Sequence, residues 1–332
     1  MTLSIATLIS AFTIALITSK LIIYFFGKRL LDIPNDRSSH TTPTPRGGGI
    51  AIVLGTIGAS LFAYFSGGIS KELLILLLPG VIMAAVGIID DIKNLNIRIR
   101  LGLQIVTATL ISSTLLNDIN EPPFLELLLF LTSAIGIVWL TNLYNFMDGI
   151  NGLAALQTIF VCISMSLLFY LQATHVDVAI ILILLALASL GFLYWNFPTA
   201  QIFMGDVGSL FIGITLATLM VWTSRDSFIT SCSWLILMAA FITDATYTLL
   251  MRIISGQKFY LPHRSHLYQK LALKRKSHTQ ATLLIMAFNI FWLLPIALTI
   301  QIGWLNEFIG LCLAYTPAIY CAYKMRAGKT AH

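Results

Sequence analysis

Residues 178–209 read VAIILILLALASLGFLYWNFPTAQIFMGDVGS. Positions 178–195 carry no charged side chain, and as a helix they would rise close to the ~30 Å of a bilayer's hydrocarbon core. Asn196-Phe197-Pro198 then stops the run, and Gly205-Asp206-Val207-Gly208-Ser209 opens a second apolar stretch. The segment reads as a membrane helix, a polar loop at the membrane boundary, and a helix that goes back in. The rest of the chain repeats this plan.

Apolar stretches of spanning length lie near 3–26, 49–66, 73–89, 101–117, 124–141, 152–172, 178–195, 207–224, 231–251, 281–301 and 304–323. They predict an all-α, polytopic integral membrane protein of about eleven transmembrane helices, folded as one catalytic domain over 1–332. Composition agrees: of 332 residues, 58% are hydrophobic and 10% charged, whereas soluble domains run near about 25% charged. Such a chain needs the lipid bilayer as its solvent. A net charge of +6 without a soluble basic domain argues against nucleic acid. Cys162, Cys232, Cys312 and Cys321 lie in or beside apolar runs without zinc-site or disulfide spacing.

The positive charge marks topology. With the N-terminus outside, only Lys71 and Arg225 of the 20 Lys and Arg fall in outer segments, and Lys20 sits toward the inner end of the first span. All others fall in inner segments, the bias expected of cytoplasmic loops. The C-terminus is then cytoplasmic. No basic n-region or small-residue cleavage site precedes the first span, which reads as a retained helix. The inner segments 27–48, 90–100, 142–151, 196–206 and 252–280 hold nearly all the unusual chemistry.

Asp90-Asp91 ends the third span, where two carboxylates meet mutual repulsion and the unfavourable end of a helix dipole. A cation should compensate, either a magnesium ion or Lys93, Arg98 and Arg100. Asp206, between glycines at the boundary, suits a helix cap and a metal ligand alike. Asn142, Asn145 and Asp148, followed by Gly149, Asn151 and Gly152, offer amides and a carboxylate to a uracil, ribose or amide group. Otherwise they form a polar turn. In the first inner loop Arg37, His40 and Arg46 precede Gly47-Gly48-Gly49, whose N–H groups could approach an anion. The last large loop carries His263, Arg264 and His266 with no Cys, Asp or Glu to complete a zinc site, so contacts to phosphate suit it better. Asp244, inside the ninth span, is expected to be functional or paired.

Asp90-Asp91, Asn-x-x-Asn-x-x-Asp-Gly, Phe-Met-Gly-Asp-Val-Gly-Ser at 203–209 and the histidine-bearing loop follow in order on one face. Over about 30–270 the chain resembles the polyprenyl-phosphate N-acetylhexosamine-1-phosphate transferases. That family includes initiators of O-antigen, enterobacterial common antigen and teichoic acid synthesis, and the phospho-N-acetylmuramoyl-pentapeptide transferase. The resemblance implies magnesium, or manganese in its place, a UDP-N-acetylated sugar as donor, undecaprenyl phosphate as acceptor, and UMP as product. It implies a bacterial inner-membrane location with a cytoplasmic active site, and a homodimer is a further candidate assembly. Asp90 and Asp91 match the paired aspartates, Asp206 the direct metal ligand with Asp91 beside it, and Asn196 a family asparagine. Asn142 and Asp148 match nucleotide-sugar residues, and Arg100 a basic residue four before Gln104. Asn151 replaces an aspartate, and Tyr268-Gln269 replace later histidines. The Arg-Ser-Ser-His and His-Arg-Ser-His-Leu-Tyr-Gln elements are closest to the O-antigen branch that uses UDP-N-acetylfucosamine or UDP-N-acetylquinovosamine. Sugar choice would then fall to 255–280, with Phe259, Tyr260, Leu261 and Tyr268 as candidates.

A secondary transporter is the rival class, but its substrate groups belong near the midplane, and here the acidic clusters other than Asp244 lie at the inner boundary. A scaffold would leave the polar inner loops unexplained.

Overall fold

The fold comes from a computed structural model that describes residues 4–27, 31–33, 42–117, 121–225, 227–258, 261 and 263–329. The helices are α1 (Ile5–Phe26), α2 (Gly49–Phe65), α3 (Lys71–Ile75), α4 (Leu78–Lys93), α5 (Ile97–Leu116), α6 (Pro123–Met147), α7 (Leu153–Gln172) and α8 (Val176–Asn196). They continue with α9 (Gly205–Ser224), α10 (Phe228–Leu237), α11 (Ala239–Ile254), α12 (Leu267–Arg275), α13 (His278–Phe288), α14 (Leu294–Gln301) and α15 (Glu307–Lys324). The expected all-α chain has one exception among the described residues. β1 (Leu31–Asp32) and β2 (Thr44–Pro45) pair antiparallel, Leu31 with Pro45 and Asp32 with Thr44, and close the first inner loop at its base.

All eleven apolar stretches are occupied by helix. Eight helical segments are long and apolar enough to cross a membrane, or nine if α10 and α11 form one broken span. The chain is a multi-pass helical membrane protein. Two of the predicted boundaries move. α6 runs on to Met147, so Asn142 and Asn145 lie on a helix and not in a loop, and the long last loop contains α12.

Lipid offers no hydrophobic drive between helices, so close packing of small residues has to supply it. α1 buries Thr7, Ala11, Ala15 and Ser19, one small residue per turn. A Cβ on Gly55 of α2 would lie 2.8 Å from the Ala11 carbonyl, and one on Gly191 of α8 would lie 2.4 Å from that of Phe12. Outward faces carry large apolar side chains such as Ile5, Phe124 and Ile135.

The expected span at 231–251 is broken: α10 and α11 meet at 70° around Met238. The break leaves the Leu237 carbonyl without a helical donor, and Gln157 Nε2 supplies one at 3.2 Å. Gln157 Oε1 in turn accepts from Asn289 Nδ2, at the start of a π-helical turn, Asn289–Leu293. Irregular backbone at membrane depth persists where polar side chains of other helices satisfy it.

Candidate active site

The C-terminal ends of α4 and α6 meet the N-terminal ends of α5 and α9, and the polar groups of all four face one another. Asp91 caps α9 from another helix: its Oδ1 accepts from Asp206 N at 3.1 Å and its Oδ2 from Val207 N at 3.3 Å. A carboxylate is favoured there by the free N–H groups and the dipole. Gly205 has φ +74°, and a Cβ there would lie 2.6 Å from Asp91 Oδ2; a Cβ on Gly87 would lie 2.5 Å from the Val207 backbone. Glycine at both positions is what allows α4 and α9 to touch.

Asp90 is buried, with Oδ1 accepting from Leu95 N at 2.7 Å and Oδ2 from Arg100 Nη1 at 2.8 Å. The same Arg100 nitrogen donates to Asp206 Oδ2 at 3.0 Å. Asn145 Nδ2 donates to Asp206 Oδ1 at 2.6 Å and to Ser209 Oγ at 3.1 Å. Asn142, one turn earlier on α6, donates to Gln104 Oε1 at 2.6 Å. Arg100 and Gln104 thus share the face of α5 that meets this cluster.

Asp148 follows α6 directly and accepts a hydrogen bond from the Gly205 backbone. Burial, with the charges of Asp206 and Asp91, pushes its carboxyl well above the usual range. Arg46 Nη2 pairs with Asp32 Oδ1 at 2.6 Å. Burial opposes its charge, but Asp32, Asp91 and Asp206 outweigh that and hold it cationic. The glycine triplet follows, with Gly48 N and Gly49 N donating to the carbonyls of Phe203 and Met204 at 2.9 and 2.8 Å. Those two N–H groups therefore brace the Asp206 loop, a different task from the expected anion cradle.

Asn196 is buried and is engaged at both ends. Its Oδ1 accepts from Gly152 N at 2.8 Å and its Nδ2 donates to the Ile202 carbonyl at 2.8 Å. Its place is between the α6–α7 break and the α8–α9 loop, where it fixes the distance between Asp148 and Asp206. Asn151 Nδ2 adds a bond to the Pro198 carbonyl at 3.1 Å.

The histidine loop reaches the same break. The Tyr268 hydroxyl donates to the Phe146 carbonyl at 3.0 Å, which occupies the polar group of one candidate for sugar contact. His266 is buried with Nδ1 3.2 Å from Asp244 Oδ1, and His263 Nδ1 lies 3.0 Å from Ser265 Oγ. Burial, with His266 and Arg252 nearby, pushes His263 down to about 3, so it is neutral at pH 7. A neutral His263 keeps its hydrogen-bonding capacity toward phosphate, and Arg264 beside it carries a permanent positive charge. Arg37, His40, Phe259 and Tyr260 lie outside the described residues.

Ser209, Gln104 and Asp32 complete contacts that sequence reading did not assign, and for these the Asn-x-x-Asn register, which puts Asn142 and Asn145 on one face, was the signal toward partners of Asn142 and Asn145. Asp244, expected to be functional or paired, is paired with His266.

The donors are hard oxygens, and Asp90, Asp91, Asp148 and Asp206 outnumber the adjacent cations Arg100 and Arg46. Such a set suits a divalent magnesium-type ion. No group of three or more His, Cys, Asp or Glu is drawn together as a ready-made metal site among the described residues: Arg100 stands between Asp90 and Asp206, and the Asp91 oxygens face α9.

The fold is thus a multi-pass helical bundle with an acidic, amide-lined cluster where the ends of α4, α5, α6 and α9 meet. The Glycosyl transferase family 4 model matches residues 73–224, from α3 to the end of α9. The chain is 31% identical over 320 residues to the probable undecaprenyl-phosphate N-acetylglucosaminyl 1-phosphate transferase of Bacillus subtilis, covering 91% of this chain and 88% of that relative. It is 30% identical to the decaprenyl-phosphate N-acetylglucosaminephosphotransferases of Mycobacterium leprae and Mycobacterium tuberculosis, over 76% of this chain and 72% and 71% of theirs. The chain belongs to the polyprenyl-phosphate N-acetylhexosamine-1-phosphate transferase family.

Proposed function

We propose that this protein transfers an N-acetylhexosamine 1-phosphate from a UDP-sugar to undecaprenyl phosphate, with UMP released, at the cytoplasmic face of a bacterial inner membrane. The observation that carries the reading is the meeting of Asp90, Asp91 and Asp206 with Arg100 and Asn145 at the ends of α4, α5, α6 and α9. A phosphate oxygen of the acceptor attacks the sugar-bearing phosphorus, and the bond from that phosphorus to the bridging oxygen breaks toward UMP. Magnesium, held by Asp206 with Asp91 and Asp148 beside it, would offset the pyrophosphate charge.

A phosphate monoester has its second pKa near about 6, so the acceptor is largely dianionic at neutral pH and needs no general base. Both oxygens of Asp90 are already hydrogen-bonded, which supports a role in orienting Arg100 over one in proton removal. Asn142, Asn145 and Asp148 are assigned to the nucleotide sugar; Arg46, Arg264 and the 263–266 loop are assigned to its phosphates and hexosamine. An apolar cavity of about 380 Å³ between α11, α12, α13 and α15, with Lys274 and Lys324 in its lining, suits the prenyl chain.

N-acetylglucosamine, named in the relatives, is the first donor to test. The 6-deoxy donors of O-antigen synthesis rest on the 37–49 and 263–269 motifs alone. Purified protein with undecaprenyl phosphate, magnesium and a panel of UDP-sugars should release UMP with at least one N-acetylated donor. No release with any, together with uptake of a solute into proteoliposomes, would establish the transporter reading instead.

A further inference from the structure

We propose that Asp244 is a positioning residue for the transfer: from inside α11 it fixes the His266 ring and the first turn of α12, and so seats the histidine loop on the α6–α7 break. The inference rests on the transferase reading above. Asp244 is 2% exposed, and a carboxylate inside a membrane span is costly unless strongly paired.

Three of its four partners come from one short segment, 266–268. Leu267 N donates to Oδ1 at 2.8 Å and Tyr268 N to Oδ2 at 2.8 Å. His266 Nδ1 lies 3.2 Å from Oδ1, and the Thr248 hydroxyl, one turn along α11, donates to it at 3.2 Å. The two amides belong to the N-terminus of α12, where a carboxylate is well placed. A carboxylate that already accepts from two amides also accepts from the imidazole. Nδ1 therefore carries a proton, and in the neutral ring Nε2 is left as an acceptor.

The ring so oriented lies between others. Its centroid is 6.2 Å from Phe146, 4.9 Å from His263 and 5.7 Å from Tyr268, all nearly parallel. Phe146 follows Asn145, which holds Asp206. Tyr268 packs on Gly149 so closely that a Cβ there would meet its hydroxyl oxygen at 2.0 Å. Contacts thus run without a gap from Asp244 through His266 and Tyr268 to the turn that presents Asn145 and Asp148. Asp244 touches none of the carboxylates and acts through the loop.

Two measurements test this. In protein labelled with ring-¹⁵N histidine, with the His266 signals assigned through His266→Gln, the wild-type ring should be protonated at Nδ1, as a neutral tautomer or an imidazolium. A ring protonated only at Nε2 overturns the proposal. In UMP-release assays Asp244→Asn should lower kcat/KM about tenfold or more, and by a clearly smaller factor in a His266→Gln background, where the ring contact is already gone and only those to the Leu267 and Tyr268 amides remain to be weakened. Equal fold losses in both backgrounds, or a fully active Asp244→Asn, overturn it as well. If Asp244→Asn does not fold, the wild-type ring spectrum still decides. That spectrum needs no turnover, so failure of the transferase reading, seen as no UMP release by the wild type, is distinguishable from failure of this one.

Discussion

Arg100 is the side chain whose removal should disturb the site most cleanly. Its Nη1 donates to Asp90 Oδ2 at 2.8 Å and to Asp206 Oδ2 at 3.0 Å, so Arg100→Ala leaves two facing carboxylates without the cation between them. Taking one partner from a buried ion pair costs about 3–5 kcal/mol. Side-chain exposures of 18% for Arg100, 7% for Asp90 and 28% for Asp206 admit some water, so the low end, about 3 kcal/mol, applies. If that disorganisation falls wholly on the reaction, kcat/KM drops roughly 150-fold at about 1.36 kcal/mol per decade. Arg100→Lys keeps the charge but reaches one carboxylate at a time, and should lose roughly tenfold. UMP release at saturating and limiting donor measures both, and Arg98→Ala, exposed two residues earlier on α5, is the control. Arg100→Ala within about threefold of wild type would refute the bridge as an organiser of the site.

Asp206→Asn should melt close to the wild type but lose at least about a hundredfold in turnover; recovery of the wild-type rate in excess magnesium would contradict a direct-ligand role. Gly205→Ala, with φ +74° and a Cβ 2.6 Å from Asp91, should lower stability by about 1–3 kcal/mol, and an unchanged thermal melt would count against the close contact of α4 with α9. For topology, a cysteine at Ser70 should react with an impermeant thiol reagent added to intact cells and one at Lys274 should not; the reverse pattern would move the site to the other side of the membrane.

What could be read before folding depended on how local each signal was. Asp90, Asp91 and Asp206 stand at the ends of apolar runs, and a carboxylate there is visible in the sequence itself. Asn145 could be seen but its use could not, because its partners Asp206 and Ser209 are about 60 residues away. The apolar run stops at 141, six residues before the end of α6, although Asn142 and Asn145 are spaced to share a helical face. They stay helical because Gln104 and Asp206, from other helices, take up their amides. The break at Met238 has no local signature at all: neither Gly nor Pro lies between Phe228 and Ile254, and the freed carbonyl is satisfied by Gln157 with Asn289 behind it. Asn196, which resemblance offers only as a family asparagine, has both ends of its amide on backbone, at Gly152 N and the Ile202 carbonyl. Side chains that recognise backbone look the same in sequence as those that recognise ligands.

The histidine loop should make the protein sensitive to mild acid, and the sign can be worked out. Burial, His266 and Arg252 push His263 down to about 3, from an ordinary value of about 6.5. Between these values the unfolded chain binds a proton that the folded loop refuses, so stability falls as pH drops through that window. Asp148 works in the opposite sense. Burial and its acidic neighbours raise it, so the folded state holds its proton more tightly and loses stability as pH rises above the ordinary carboxylate range. A single acid melt of the wild type therefore mixes opposing contributions, and a substitution is needed to separate them. His263→Gln removes the titrating ring while keeping a group able to bond Ser265 Oγ, which lies 3.0 Å from His263 Nδ1. Melting both proteins in detergent at pH 7.5 and 5.0 should show the wild type losing more on acidification than the variant, because Asp148 contributes equally to each. His263 is partly buried and still partly screened by water, so the excess loss should be a few degrees at most. An equal loss in the two proteins would mean that the folded loop accepts the proton as readily as the unfolded chain does, and that His263 is solvated in place of packed on His266.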